Sequence, residues 1–152
     1  MNPDLNDIVF SKGKFKFNVR AAGLLEHNQN YLVSETTDPQ ADFVFIGGRV
    51  KFGESSQDAI QREFFEELHI HVQVERLLWV IEHQMPSQTE SFQQIVLLYL
   101  LKTNDKIPSH TNKKRPLVWQ SFSELKLANL KPNVFKDYDK LPETIQYWQD
   151  IS

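Results

Sequence analysis

Apolar residues recur at helical spacing in the middle of the chain. Ile60, Phe64 and Leu68 follow one another at intervals of four, and at about 100° per residue they form one stripe. Neither glycine nor proline interrupts Ser56–Leu68, and its residues favour helix. Ser55, just before this segment, has the side chain of a helix N-cap. The pattern therefore predicts an amphipathic helix whose apolar stripe faces the core.

Strand patterns lie on both sides of this helix. Polar and apolar residues alternate over residues 14–19, which predicts a strand with one buried face. Further strands are predicted at residues 21–26, 31–34 and 72–81. The tail, residues 142–148, begins with a proline, which suits the first position of a helix. We therefore expect this tail to be helical.

The composition is that of an ordinary globular protein. A chain of 152 residues is expected to form a single domain, residues 1–152, that buries about 70% of its unfolded surface. The net charge of −3 argues against a general nucleic-acid binder, since no basic excess is available to neutralise phosphates. Cysteine is absent, so disulfide and thiolate chemistry are excluded.

Neither a targeting signal nor a membrane span is expected from the pattern of the sequence. Residues 1–7 are polar and lack the apolar core of a signal peptide. No apolar run approaches the roughly 20 residues of a membrane helix. We therefore expect a cytoplasmic protein with no membrane partner. The basic run at residues 113–115 is expected to be a solvated loop, with phosphate contact as the alternative.

The predicted helix carries an unusual concentration of acid. Glu63, Glu66 and Glu67 are three and four residues apart and cluster beside the apolar stripe, with Glu67 nearest to it. Like charges at this spacing cost roughly 0.2–0.5 kcal/mol a pair on an exposed helix, and burial raises that cost. A hard cation with oxygen ligands removes it, and magnesium typically bridges carboxylates to substrate phosphates. The cluster therefore predicts a divalent-metal site that holds a phosphate substrate.

Residues 48–70 resemble the Nudix box, G-x5-E-x7-R-E-U-x-E-E-x-G-U, in which U is a bulky apolar residue. The matching positions are Gly48, Glu54, Arg62, Glu63, Phe64, Glu66, Glu67 and Ile70. His69 stands where the pattern has its last glycine. Histidine tolerates the left-handed conformation less well than glycine. We therefore expect a slightly altered helix end and little loss of metal binding.

The resemblance implies an α/β fold, a Nudix-like α/β/α sandwich with a mixed β-sheet. Softer likenesses to the family extend along most of the chain. They suggest strands at residues 19–25, 43–48, 77–82, 95–101 and 117–119, and a short helix at residues 122–125.

The resemblance also implies an activity, the metal-dependent hydrolysis of the diphosphate bond in a nucleoside diphosphate linked to another moiety. Its ligands for Mg2+, or for Mn2+ as the alternative ion, would be Glu63, Glu66, Glu67 and the Gly48 carbonyl. The substrate would be a small nucleotide-type molecule.

Two further positions of the box have roles implied by the family. Arg62 belongs to the catalytic set and is expected to pair with Glu54, so that it orients the loop on the helix. A phosphate contact is the alternative role for Arg62. Glu54 is expected to be structural.

Several questions stay open at the level of sequence. Many relatives carry a glutamate where this chain has Gln94, which leaves the general base open between Glu63, Glu90 and none. Arg49, Glu82 and Glu90 are candidate substrate contacts, although surface roles explain them about as well. The alternative function is a non-catalytic nucleotide-binding or sensor module. Substrate identity, the number of metal ions and the choice between monomer and homodimer cannot be read from the pattern.

Overall fold

The computed structural model describes residues 6–151, so the polar start predicted at residues 1–7 lies mostly outside the described residues. The strands are β1 Val9–Lys12, β2 Phe15–His27, β3 Asn30–Glu35, β4 Phe43–Val44, β5 Ile46–Arg49, β6 Gln73–Met85, β7 Ser91–Lys102, β8 Leu117–Ser121 and β9 Gln146–Ile151. The α-helices are α1 Ser56–Leu68 and α2 Phe122–Leu127, and a 3-10 helix spans Val134–Asp137.

Helix α1 has the bounds that the sequence predicts, because its start and stop signals are local. The Ser55 hydroxyl accepts a hydrogen bond from the Asp58 backbone amide at 3.0 Å, which caps the N-terminus. The helix ends at His69, whose φ of 57° is left-handed and whose backbone N–H donates to the Phe65 carbonyl. The histidine thus adopts the conformation that the missing glycine would have taken.

The sheet is mixed and is organised around β2. Its main path runs β4-β3-β2-β7-β6-β9, while β1 and β5 pair with β2, and β8 pairs with β3. The β2–β7 and β6–β9 pairs are parallel, and the remaining pairs are antiparallel. The predicted strands at residues 14–19 and 21–26 are one long strand, β2. The strand expected at residues 43–48 is interrupted at Phe45.

Helices cover both faces of the sheet, which confirms the predicted sandwich. On one face, the α1 stripe of Ile60, Phe64 and Leu68 packs in a core with Ala21 and Leu101. A side chain on Gly23 of β2 would collide with Phe64 and Leu101, so glycine allows α1 to lie close to the sheet. The opposite face carries a second core, formed by Trp79, Leu98, Leu125, Phe135 and their neighbours. Alternate residues of β2 and β7 therefore serve opposite cores.

The prediction of a helical tail was wrong. The chain after Pro142 is extended, and β9 runs parallel to β6, with Trp79 opposite Gln146 and Ile81 opposite Trp148. Trp148 is only 7% exposed, and its indole N–H donates to Asp137 at 2.7 Å. The open edge of β6 supplies this strand's hydrogen-bond partners. Proline suits an extended chain as well as the first turn of a helix, so the local signal was ambiguous.

Within residues 6–151, no helix has the length and apolarity that crossing a membrane requires.

Candidate active site

The site begins where β5 meets α1. Gly48 pairs with Ala21 across the β5–β2 ladder, and the Glu63 carboxylate lies directly against the Gly48 backbone. A Cβ at position 48 would overlap that carboxylate. Glycine is therefore required here by a close approach, which brings a carboxylate of the helix onto the main chain of the strand.

Arg62 joins three carboxylates and the loop before the helix. Its guanidinium donates to both oxygens of Glu54, at 2.7 and 3.1 Å, and to Glu63 and Glu66 at 2.8 and 3.2 Å. It also donates to the Arg49 carbonyl at 3.1 Å. These bonds fix the loop of residues 49–54 on α1 and place Glu54 in the predicted pair with Arg62.

The electrostatics of the Glu54–Arg62 pair follow from its geometry. The hydrogen bonds from Arg62 lower the pKa of Glu54, and the Lys51 backbone amide, which donates to Glu54 at 2.9 Å, adds to this effect. The same pair raises the pKa of Arg62. A charge-assisted bidentate bond of this kind holds both partners in one orientation.

Glu67 has a different environment from the other carboxylates. Its Oε2 atom is buried and has no hydrogen-bond partner among the described residues. Burial, reinforced by the charges of Glu63 and Glu66, raises the pKa of Glu67 to about 7, against the opposing influence of Arg20 and Lys113. The sequence predicts that Glu67 lies nearest the apolar stripe. In the structure, its Oε2 is buried and accepts no hydrogen bond from the described residues.

Glu67 lines a cavity of about 320 Å³ between the end of α1, the sheet and two loops. The cavity wall carries four cations, Arg20, Lys113, Arg115 and Lys131. Its other polar groups include Gln94 and Thr111, and Phe45 and Val96 are among its apolar ones. Of the described residues on this wall, Glu67 is the only carboxylate. The arrangement can receive an anionic ligand beside the Glu67 side chain.

The cationic side of this cavity was largely missed from the sequence. The sequence favours a solvated loop at residues 113–115, with phosphate contact as the alternative, and in the structure Lys113 and Arg115 both line the cavity. Arg20 gave a signal that was not used, since it is a lone cation in the apolar run of β2. Its Nη2 donates to the Phe45 carbonyl at 2.8 Å. Burial lowers the pKa of Arg20, whereas Glu67 and Glu63 act to raise it.

Three candidate substrate contacts lie away from this cavity. Glu82 of β6 interacts with Tyr147 on the neighbouring β9. Glu90 is exposed and lines a separate surface cavity, together with Arg49 and Phe92. The Arg49 guanidinium lies 3.6 Å from Asp7. The structure therefore does not bring Arg49, Glu82 or Glu90 together with Glu67.

Gln94, the other open position, does line the Glu67 cavity. Its side chain is 8% exposed and donates to Asn18 Oδ1 at 2.7 Å. An amide in this position hydrogen-bonds but does not accept a catalytic proton near neutral pH. The cavity thus has no second carboxylate at the position where many relatives place one.

The carboxylates of α1 are the side chains that could hold a divalent cation. Among residues 6–151, no three His, Cys, Asp or Glu side chains are gathered into a metal-binding cluster, and Glu63 and Glu66 both accept hydrogen bonds from Arg62. The donors nevertheless suit a hard ion, because Glu67 has a buried oxygen with no hydrogen-bond partner among the described residues, and the charges of Glu63 and Glu66 act on it. The residues present therefore fit a divalent cation in their chemistry.

A comparison with known protein families identifies the family to which this fold belongs. The family model for the NUDIX domain matches residues 16–141. The match covers most of the chain and contains Gly48 and the whole of α1. The chain therefore belongs to the Nudix family. Enzymes of this family generally use divalent metal cations and act on small nucleotide substrates.

Solved structures with the same fold are distant in sequence. The Escherichia coli ORF135 protein is 23% identical, with a TM-score of 0.58 over 84% of this chain and 89% of that one. The MutT protein of Bacillus halodurans is 17% identical, with a TM-score of 0.62 over 82% and 85%. An ADP-ribose pyrophosphatase of Streptococcus suis is 12% identical, with a TM-score of 0.59 over 86% and 98%. No curated protein matches the chain by sequence.

Proposed function

We propose that this protein is a metal-dependent pyrophosphohydrolase that cleaves the diphosphate bond of a nucleoside diphosphate linked to another moiety. The observation that carries the proposal is Glu67, whose buried Oε2 has no hydrogen-bond partner among the described residues and which lines a cavity rich in cations. A solvated acidic helix would leave no such oxygen. Membership of the Nudix family and the pyrophosphatase named among the structural neighbours support the same reaction class.

The carboxylates on α1 have separate tasks in this proposal. Glu63, Glu66, Glu67 and the Gly48 carbonyl would hold Mg2+, with Mn2+ as the alternative. When bound, the ion supplies Lewis-acid polarisation of the phosphate oxygens and lowers the pKa of a bound water. Arg62 positions Glu63 and Glu66 through its hydrogen bonds and ties the Glu54 loop to them. Arg20, which lines the same cavity as Glu67, would neutralise charge on the diphosphate.

Glu63 is the best candidate for accepting the proton of the attacking water. It lies against Gly48 and accepts a hydrogen bond from Arg62 at 2.8 Å, on the same helix as Glu66 and Glu67. Glu90 lines a different cavity, and Gln94 carries an amide. Of the candidate bases, Glu63 is therefore the one held beside the other proposed ligands.

A second candidate function is a binding or sensor module that holds the same ligand without turnover. Gln94 favours it, because this buried amide faces the cavity where a general base could stand and is committed to Asn18. The three carboxylates favour the enzyme, since binding alone does not require a set of repelling charges.

The experiment that separates the two candidates uses a panel of nucleoside diphosphate derivatives with Mg2+, with Mn2+ and with EDTA. The panel contains a nucleoside triphosphate, a dinucleoside polyphosphate, ADP-ribose and a sugar nucleotide, and released phosphate and nucleotide are both measured. Turnover that needs metal supports the enzyme. Metal-dependent thermal stabilisation by a panel member without turnover contradicts it and supports the binding module.

A further inference from the structure

The cavity beside Glu67 concentrates positive charge in an acidic protein. Four cations and one carboxylate line it, although the whole chain has a net charge of −3. Low-dielectric walls lined by one sign of charge focus the field and raise the local concentration of oppositely charged ligands. The lining of this cavity therefore carries more positive than negative charge.

Two of these cations, Lys113 and Arg115, belong to a turn that is hydrogen-bonded to the end of α1. The Asn112 backbone amide donates to the Glu67 carbonyl at 2.8 Å. Within the turn, Thr111 N–H donates to the Arg115 carbonyl at 2.9 Å, and Lys114 N–H donates to the Thr111 carbonyl at 2.8 Å. Lys114 takes a left-handed φ of 61° to close it. The backbone that carries Lys113 and Arg115 is therefore fixed relative to Glu67.

The third cation reaches the cavity from a different segment. Lys131 precedes the 3-10 helix, and its ammonium donates to Gln40 Oε1 at 3.0 Å. Pro132, the next residue, also lines the cavity. Lys131 and the turn of residues 111–115 thus contribute cations to one cavity from segments far apart in the chain.

The side chains of Lys113 and Arg115 form no hydrogen bond or ion pair with the described residues. Across residues 6–151, neither has a side-chain hydrogen bond or ion pair, although carboxylates outnumber cations in the chain. Lys113 is exposed and Arg115 is half-buried. Cations on a fixed turn at a cavity wall, with no side-chain hydrogen bond or ion pair to the described residues, are available to an anionic ligand.

We propose that Lys113, Arg115 and Lys131 determine substrate specificity by recognising phosphate beyond the diphosphate that is cleaved. The inference rests on the proposed function and narrows its substrate class. A nucleoside triphosphate, whose chain carries a further anionic group, is preferred over a nucleoside diphosphate joined to an uncharged sugar. Arg115 presents a planar fork that matches phosphate geometry, whereas the two lysines act as point charges.

The kinetic test compares a nucleoside triphosphate with a nucleoside diphosphate sugar on matched variants. Lys113→Gln and Arg115→Gln each remove one cavity cation, and Lys114→Gln removes the adjacent cation that does not line the cavity. We expect each cavity variant to raise KM for the triphosphate about tenfold, equivalent to about 1.4 kcal/mol, and to change the sugar substrate less than about threefold. Lys114→Gln leaves both substrates unchanged, and Arg115→Lys restores part of the triphosphate preference. Equal effects on both substrates, or an equal effect of Lys114→Gln, would overturn the inference.

A binding measurement without metal separates this inference from the proposed function. Inorganic triphosphate and pyrophosphate are titrated calorimetrically in EDTA into the wild type and the Lys113→Gln/Arg115→Gln double variant. We expect the wild type to bind triphosphate more tightly, and the double variant to lose that preference. This result without turnover of any substrate would refute the proposed hydrolase and leave the recognition of the extra phosphate standing. Turnover by a wild type that shows no preference for triphosphate in binding would refute the recognition of the extra phosphate and leave the proposed hydrolase standing.

Discussion

Arg62 holds both carboxylate oxygens of Glu54, at 2.7 and 3.1 Å, across eight residues of chain. The same guanidinium donates to Glu63 and Glu66, so the loop before the helix and the acidic face of the helix share one cation. Side chains at both ends of the pair are largely shielded, at 24% exposure for Arg62 and 18% for Glu54. The pair therefore connects the geometry of the site to the stability of the fold.

Glu54→Gln tests the structural side of that connection. The amide keeps the shape of the carboxylate but loses the charge-assisted bond, so we expect the free energy of unfolding to fall by about 1–3 kcal/mol. The value of kcat/KM at a temperature where the variant is folded should change less than about threefold, or about 0.65 kcal/mol. Urea unfolding and steady-state kinetics measure the two effects. A variant of unchanged stability that has lost turnover would instead make Glu54 a direct participant in the chemistry.

Gly48→Ala tests the close approach between β5 and α1. The added methyl group occupies the position of the Glu63 carboxylate, so that side chain has to move away from the strand. We expect a loss of about 1–3 kcal/mol in unfolding free energy, typical of overpacking, together with a fall of at least about tenfold in kcat/KM. Normal turnover in this variant would show that the Glu63–Gly48 contact is not needed for activity.

His83 gives the fold a dependence on pH that is separate from the site. It is 2% exposed on β6, and its Nδ1 lies 2.9 Å from Asp150 Oδ2 on β9. Burial lowers the pKa of His83 below its ordinary 6.5, with Lys131 acting in the same direction and Asp150 opposing. The unfolded chain therefore takes up the proton first as pH falls. The contribution of His83 to stability is complete above about pH 6.5 and declines as pH drops from there toward the folded pKa.

His83→Gln removes this titration and keeps a side chain that can donate to Asp150. We expect the wild type to lose more unfolding free energy than the variant between about pH 7.5 and about pH 5.5. His110→Gln is the matched control, because His110 is exposed and its substitution should leave the wild-type slope in place. Parallel slopes for wild type and His83→Gln would show that His83 does not set this dependence.

The parts of the structure that the sequence predicted correctly have local causes. Helix α1 could be placed to the residue because Ser55, the apolar stripe and His69 all act within its own span. The carboxylate face follows from the same helical geometry. Structure that is determined by residues close together in the sequence can be predicted from its pattern, whereas structure that depends on contacts between distant segments cannot.

The tail and the cavity wall depend on contacts between segments that are far apart in the sequence. Strand β9 forms because the edge of β6, more than 60 residues earlier, offers hydrogen bonds that nothing in residues 142–148 reveals. The cavity wall combines Arg20, Lys113, Arg115 and Lys131, which only the folded topology brings together. Its basic turn looked like an ordinary solvated loop, since no local pattern records the bond from Asn112 to the end of α1.

The measurement that tests the central claim most directly is metal-dependent turnover by Glu67→Gln beside wild type and Glu75→Gln. The variants make the same chemical change, but Glu75 is exposed on β6 and does not line the cavity. With Mg2+ present, we predict that Glu67→Gln loses at least about 100-fold in kcat/KM while remaining folded. Mutating a residue that only hydrogen-bonds to a metal ligand typically costs 10–100-fold in metal affinity or activity, and Glu67 is proposed as a ligand itself. Wild type and Glu75→Gln should turn over equally and lose activity in EDTA. Normal metal-dependent turnover by Glu67→Gln would contradict the account.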